Sequence, residues 1–134
     1  MREYLFLYGT LLPEKAPDEV ASVVKRFRPV GRAHIRGRLY DFGDFPGAIL
    51  DPSSAATIQG QLVLLPPGRA LLHLIDRYEE FDPSKPKASL FVRKKADIKL
   101  SNGRSLKGWV YVYNRDPGDA PIVRGGDYSK IKVA

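Results

Sequence analysis

Apolar and polar positions change period several times along the chain, and each change marks an element. Tyr4, Leu5, Phe6, Leu7 and Tyr8 form an unbroken β-favouring run stopped by Gly9, the pattern of a central strand buried on both faces. Gly9 and Pro13 then impose a loop. Val20, Val23, Val24 and Phe27 recur at helical spacing over residues 17–27, with acidic Asp18 and Glu19 in the first turn and basic Lys25 and Arg26 in the last. Residues 28–31 read as a break, 33–40 as a strand, 41–47 as a loop with aromatic anchors, 48–50 as a short strand and 57–65 as another. Residues 90–100 and 105–113 flank Asn102-Gly103, a strong hairpin signal. On the second of these strands Leu106, Gly108, Val110 and Val112 point one way and Lys107, Trp109, Tyr111 and Tyr113 the other. Residues 114–134 read as mostly ordered loop.

Residues 71–80 are predicted to be helical, and one carboxylate in them is out of place. At about 100° per residue, Leu71, Leu72, Leu74, Ile75 and Tyr78 share a face. Glu79 falls between Ile75 and Leu72 on that face, whereas Glu80 points away. Pro83 and Pro86 stop the helix just after Glu80, so Glu79 belongs to its last turn, beside a loop. A carboxyl on an apolar face has its charged form disfavoured, which raises its pKa towards the range useful for general acid–base work.

These elements predict an α+β protein. The expected architecture is one domain over residues 1–134, a compact, mixed, barrel-like sheet of about six or seven strands with two helices packed against it. Composition narrows the chemistry. The chain has no cysteine, so disulfides, thiolate catalysis and thiolate metal sites are excluded. The N-terminal apolar run is too short for a signal-peptide core or a membrane span, and a soluble cytoplasmic protein is expected. The formal charge of +7 invites a nucleic-acid reading, but the basic residues are dispersed and no reader motif accompanies them. His34 and His73 are the only histidines and neither has ligand spacing, so neither a metal site nor a histidine-based triad is supported. Nucleotide-binding glycine loops and a nucleophile elbow are also missing. Two features remain: Glu79, and the turn Tyr8-Gly9-Thr10-Leu11, where Gly9 would let successive backbone N–H groups converge on an anion.

The ordered set Tyr8-Gly9-Thr10-Leu11, Gly37 to Gly43 with Phe45-Pro46, Gly60-Gln61-Leu62, Ile75 to Glu79, Phe91-Val92-Arg93, Trp109 to Tyr113 and Gly126-Asp127-Tyr128 resembles the γ-glutamylcyclotransferase-like proteins, closest to their small AIG2-like branch. The resemblance covers nearly the whole chain. It implies a cofactor-independent enzyme that converts a small γ-glutamyl amine or amino acid into 5-oxoproline and a free amine. In that scheme the amides of Tyr8, Gly9, Thr10 and Leu11 hold the substrate α-carboxylate and Glu79 is the general base. Phe91 stands where many members carry tyrosine, and Tyr113 is the candidate to supply a substrate-facing hydroxyl instead. Arg93 reads as a sheet-surface or ion-pair residue rather than a substrate clamp.

Two readings from other classes compete. One is a non-catalytic binding module for a small anionic metabolite. The other is an RNA-binding protein whose Trp109, Tyr111 and Tyr113 stack bases. Oligomeric state and leaving amine are not specified by the pattern.

Overall fold

A computed structural model describes residues 2–9 and 22–128. The chain forms six strands, β1 (Tyr4–Leu7), β2 (Arg28–Asp41), β3 (Pro46–Leu50), β4 (Thr57–Leu64), β5 (Phe91–Leu100) and β6 (Ser105–Tyr113), with helix α1 (Ala70–Tyr78) between β4 and β5. Short 3₁₀ turns lie at Pro86–Ala88 and Arg124–Gly126. The helix expected over residues 17–27 lies largely outside the described residues. Its end, residues 22–24, is helical, and Val24 and Phe27 are buried.

The strands run in the order β3-β2-β4-β1-β6-β5, and a further pairing of β2 with β5 closes five of them into a barrel, leaving β3 paired to β2 outside the ring. Neighbours are antiparallel except β1 with β6, which are parallel at Leu5↔Trp109. β1 is therefore a central strand, as its apolar run predicts. Residues 28–31 do not form the expected break. β2 begins at Arg28, pairs with β4 from Arg28↔Leu64, and absorbs the Pro29-to-Gly31 irregularity as a register shift.

Strand alternation sorts the apolar side chains into two cores. Phe6, Ile35, Leu39, Ile58, Leu62, Ile98 and Val110 fill the barrel. Leu5, Leu7, Val63 and Tyr111, on the opposite faces of their strands, pack with Leu71, Leu72 and Ile75 of α1. At about 25 cal/mol per Å² of apolar surface, each fully buried Leu or Ile stabilises the fold by about 1.5–3 kcal/mol before ordering costs. This second core seats α1 against the outer wall of β1 and β6 and carries its C-terminal end to the end of β1.

Candidate active site

Helix α1 presents Leu71, Leu72, Ile75 and Asp76 as its buried residues, while Leu74, expected on the apolar face, is 42% exposed. The buried stripe is thus rotated slightly from the expected one and includes an acid. Asp76 is only 2% exposed. Its carboxylate accepts two hydrogen bonds from Arg93, Nε to Oδ1 at 2.8 Å and Nη2 to Oδ2 at 3.1 Å, and a third from the Tyr111 hydroxyl at 2.5 Å. The guanidinium stacks over Trp109 at 4.3 Å and lies 5.8 Å from the Phe81 ring. Arg93 is accordingly the ion-pair residue the sequence suggests, locking α1 to β5 and β6.

The helix ends in a Schellman motif. Glu79 is the C-cap, the Glu80 N–H donates to the Arg77 carbonyl at 3.1 Å, and the Phe81 N–H donates to the Asp76 carbonyl at 2.8 Å. Such a motif needs a left-handed residue after the cap, and Glu80 takes that conformation with φ of 58° although it is not glycine. The helix stops at Tyr78, two residues before the expected end, and Glu79 is held at the point where the chain turns.

Glu79 opens into a cavity of about 270 Å³. Its lining combines the end of β1 (Phe6, Tyr8, Gly9), the helix end (Tyr78, Glu79, Glu80), the Asp44-Phe45-Pro46 corner, and Phe91 and Tyr111 of β5 and β6. Glu79 is half-buried, and no hydrogen bond joins its carboxyl to another described residue. Burial, with the adjoining Glu80 carboxylate as a smaller cause, pushes its pKa up to about 7. Burial and the same Glu79 charge push the Tyr8 hydroxyl well above its ordinary value, so it stays protonated. The Tyr8 hydroxyl donates to the Tyr111 carbonyl and accepts from the Ala48 N–H at 3.3 Å. Tyr8 is therefore a strut between β1, β3 and β6.

Of the residues singled out from sequence, Tyr8, Gly9 and Glu79 meet around this cavity. Thr10 and Leu11 lie outside the described residues. Tyr113 is not among the lining side chains; its ring stacks on Phe42 at 4.2 Å and meets Phe91 edge-on at 5.7 Å. Tyr111, two residues earlier on the same strand face, is the lining tyrosine of β6. Gly9 sits so close to Pro46 that a Cβ there would come within 2.7 Å of the proline Cγ, so a side chain would displace the cavity wall. Phe91 lines the cavity as part of an aromatic wall, its ring edge-on to Phe45 at 5.6 Å. Among the described residues no three His, Asp or Glu side chains converge on a possible metal position.

Comparison with known proteins places this geometry. The family model described as gamma-glutamyl cyclotransferase, AIG2-like, matches residues 5–130. The chain is 32% identical over 131 residues to the gamma-L-glutamyl-butirosin B gamma-glutamyl cyclotransferase of Niallia circulans, a match covering 96% of this chain and 77% of that protein. Among solved structures, an AIG2-like protein from Mus musculus superposes with a TM-score of 0.73 at 18% identity, over 95% of this chain and 88% of that one. YkqA from Bacillus subtilis gives a TM-score of 0.72 at 16% identity over 97% of this chain, which spans 40% of YkqA. At these identities the two structures bear on the fold, which they share.

Proposed function

Since the chain belongs to the gamma-glutamyl cyclotransferase, AIG2-like family, we propose that it converts a small γ-glutamyl amine or amino acid into 5-oxoproline and a free amine, with Glu79 as the general base. The observation that carries the assignment is the Glu79 carboxyl itself: desolvated, free of protein hydrogen bonds among the described residues, and facing a cavity bounded by the end of β1.

In this mechanism the backbone at Tyr8 and Gly9, continuing into Thr10 and Leu11, receives the substrate α-carboxylate, which sets the α-ammonium beside Glu79. Glu79 takes one proton from that ammonium. The freed amine nitrogen attacks the γ-carbonyl carbon of the same molecule and closes a five-membered ring. The carbon–nitrogen bond to the leaving amine then breaks as Glu79 returns that proton to its nitrogen, and the regenerated Glu79 carboxylate takes the second proton from the ring nitrogen and passes it to the released amine, which leaves as an ammonium. Atoms balance without water: one γ-glutamyl amide gives one 5-oxoproline and one amine.

Two physical effects support this route. Holding both reacting groups of one molecule in the attacking geometry can contribute about 7–11 kcal/mol at best. A base whose pKa lies near the working pH typically adds about 10²- to 10⁴-fold, and Glu79, at about 7, is so placed. Cavity walls of Phe6, Phe45 and Phe91 limit competing solvation of the amine. The Niallia circulans relative is named for a γ-L-glutamyl substrate, and the shared element we carry over is the γ-glutamyl group, not its bearer.

The test is a panel of γ-glutamyl amides assayed for 5-oxoproline with the native chain and with Glu79→Gln. Product from at least one amide, reduced about 10²-fold or more by the substitution, is the expected result. Binding without turnover that survives Glu79→Gln would instead identify a non-catalytic metabolite-binding module.

A further inference from the structure

Resting on the cyclotransferase reading above, we propose that Asp76 is a positioning residue for the reaction. It holds and neutralises the Arg93 guanidinium behind the cavity wall, so that Glu79, one turn on, is left to act as a base instead of becoming that guanidinium's counter-ion. The inward side of α1 and its cap carries two acids, Asp76 and Glu79, and a buried cation, Arg93, is bound to the first. Side chains three apart on a helix are neighbours, about 5–6 Å apart at their Cβ atoms. Which acid takes the cation therefore decides whether Glu79 can accept a proton from the substrate.

The guanidinium is committed to Asp76 from several sides. Arg93 offers Nε and Nη2 to the two Asp76 oxygens at 2.8 Å and 3.1 Å, and the two side chains are only 8% and 3% exposed. A two-point pair of this kind fixes the plane of the guanidinium. Trp109 and Phe81 pack on it, with ring centroids 4.3 Å and 5.8 Å away. Phe81 is itself set by the helix end, where its N–H donates to the Asp76 carbonyl at 2.8 Å. The turn that presents Glu79 thus also lays a ring against the guanidinium. Lys95, 4.4 Å from the same Trp109 ring, has its own acid in Glu3 at 3.5 Å.

Tyr111 joins this pair to the cavity. Its hydroxyl donates to Asp76 Oδ1 at 2.5 Å, and it lines the cavity together with Glu79. Burial first, then the bond to Asp76, keeps that hydroxyl protonated, and the Glu79 charge acts on it as well. The titratable groups around Glu79 are Tyr78 and Glu80 beside it in the chain, Tyr8 of β1, Asp44 of the β2–β3 corner and Tyr111 of β6, while β5 contributes the apolar Phe91. None of these is a cation. A guanidinium released from Asp76 would be a buried positive charge facing an unpaired carboxyl, too deep for salt to screen. A unit charge on the order of 10 Å away, at an effective dielectric constant of about 20, lowers the proton affinity of a carboxylate by about tenfold.

Titration of the Glu79 carboxyl, followed by carbon-13 NMR and assigned with Glu79→Gln, tests this without requiring turnover. The native midpoint, expected at about 7, should fall by about one pH unit in Asp76→Asn, which keeps the shape and an acceptor oxygen but removes the charge. The midpoint of the pH profile of kcat/KM for 5-oxoproline formation should move with it. The double variant Asp76→Asn, Arg93→Gln, neutral at both positions, should bring both midpoints back to about 7. Tyr111→Phe, which weakens the fold but leaves the ion pair, should not move them. A pair that is only structural predicts lost stability in these variants with no displaced midpoint. Should Asp76→Asn fail to fold, Arg93→Gln carries the test, and its midpoint should lie at or above the native one. A midpoint unmoved in folded Asp76→Asn, still displaced in the double variant, or lowered in Arg93→Gln would overturn the proposal while leaving the cyclotransferase reading intact. Absence of 5-oxoproline from every amide tested, with the NMR midpoints shifted as expected, would remove the cyclotransferase reading and with it the catalytic role of Asp76.

Discussion

Asp76 and Glu79 stand one turn apart on the inward side of the same helix, and their surroundings differ completely. Asp76 accepts three hydrogen bonds from two partners, Arg93 and Tyr111, and lies sealed between α1, β5 and β6. The Glu79 carboxyl has no hydrogen-bonding partner among the described residues and faces a cavity. The paired acid can hold the helix against the barrel but has no capacity left for chemistry. The unpaired one contributes little to holding the helix, and keeps a raised pKa of about 7 because nothing compensates its desolvation. The first fixes the position from which the second works: the Phe81 N–H that closes the helix end bonds the Asp76 carbonyl.

The largest effect that would break this contrast is removal of the anchor. Asp76→Ala leaves the Arg93 guanidinium buried without its partner, which should cost about 3–5 kcal/mol and show as a large drop in the denaturant midpoint. A variant that kept wild-type stability would show that the pair does not secure the helix.

Glu79→Gln should act in the opposite direction. A carboxyl whose folded pKa is raised from 4.5 to about 7 binds its proton more tightly in the folded than in the unfolded state, so its ionisation progressively destabilises the fold as pH rises through that window. Each tenfold difference in proton affinity between the two states is worth about 1.4 kcal/mol. Discounted for the partial exposure of the side chain, the penalty above neutrality is about 2 kcal/mol. The Gln variant should therefore melt higher than wild type at pH about 8, and the difference should vanish below about pH 4.5. Equal melting at both pH values would show that the carboxyl is not desolvated.

Tyr111→Phe removes one of the three hydrogen bonds to Asp76 and leaves the Arg93 pair in place. The expected loss is about 1.5–3 kcal/mol, the range for hydrogen bonds to a charged group, read as a lower denaturant midpoint. The smallest effect is Glu80→Gly, which relieves the left-handed backbone and should stabilise by about 0.5–1 kcal/mol. A destabilised Gly variant would mean that Glu80 makes contacts that outweigh its strain.

The half of this contrast that concerns Glu79 is legible in the sequence, because angle alone distinguishes it from Glu80 on a helical wheel and Pro83 sets where the helix must stop. Asp76 shares the same stripe but carries no sequence signal of its own. Its meaning lies in Arg93, 17 residues away on a strand, and no helical period encodes a helix-to-strand partner. The same limit separates Tyr111 from Tyr113. Both point outward from β6, and only the placement of α1 and of the Phe42–Phe45 loop decides which of them reaches the cavity and which is covered by aromatic rings. Strand β1 and the β5–β6 hairpin are legible because run length and Asn102-Gly103 are local signals. The start of β2 is not, since Arg28 to Gly31 has turn composition and becomes a strand only through pairing with β4.

The most direct test of Glu79 as a base active near neutrality is the pH dependence of kcat/KM for 5-oxoproline formation from a single γ-glutamyl amide. The expected profile rises with pH about a midpoint of about 7, as the Glu79 carboxyl ionises, and that rise is lost in Glu79→Gln. A profile already flat from about pH 5.5 upward, where an ordinary glutamate is ionised, or the same rise in the Gln variant, would contradict it.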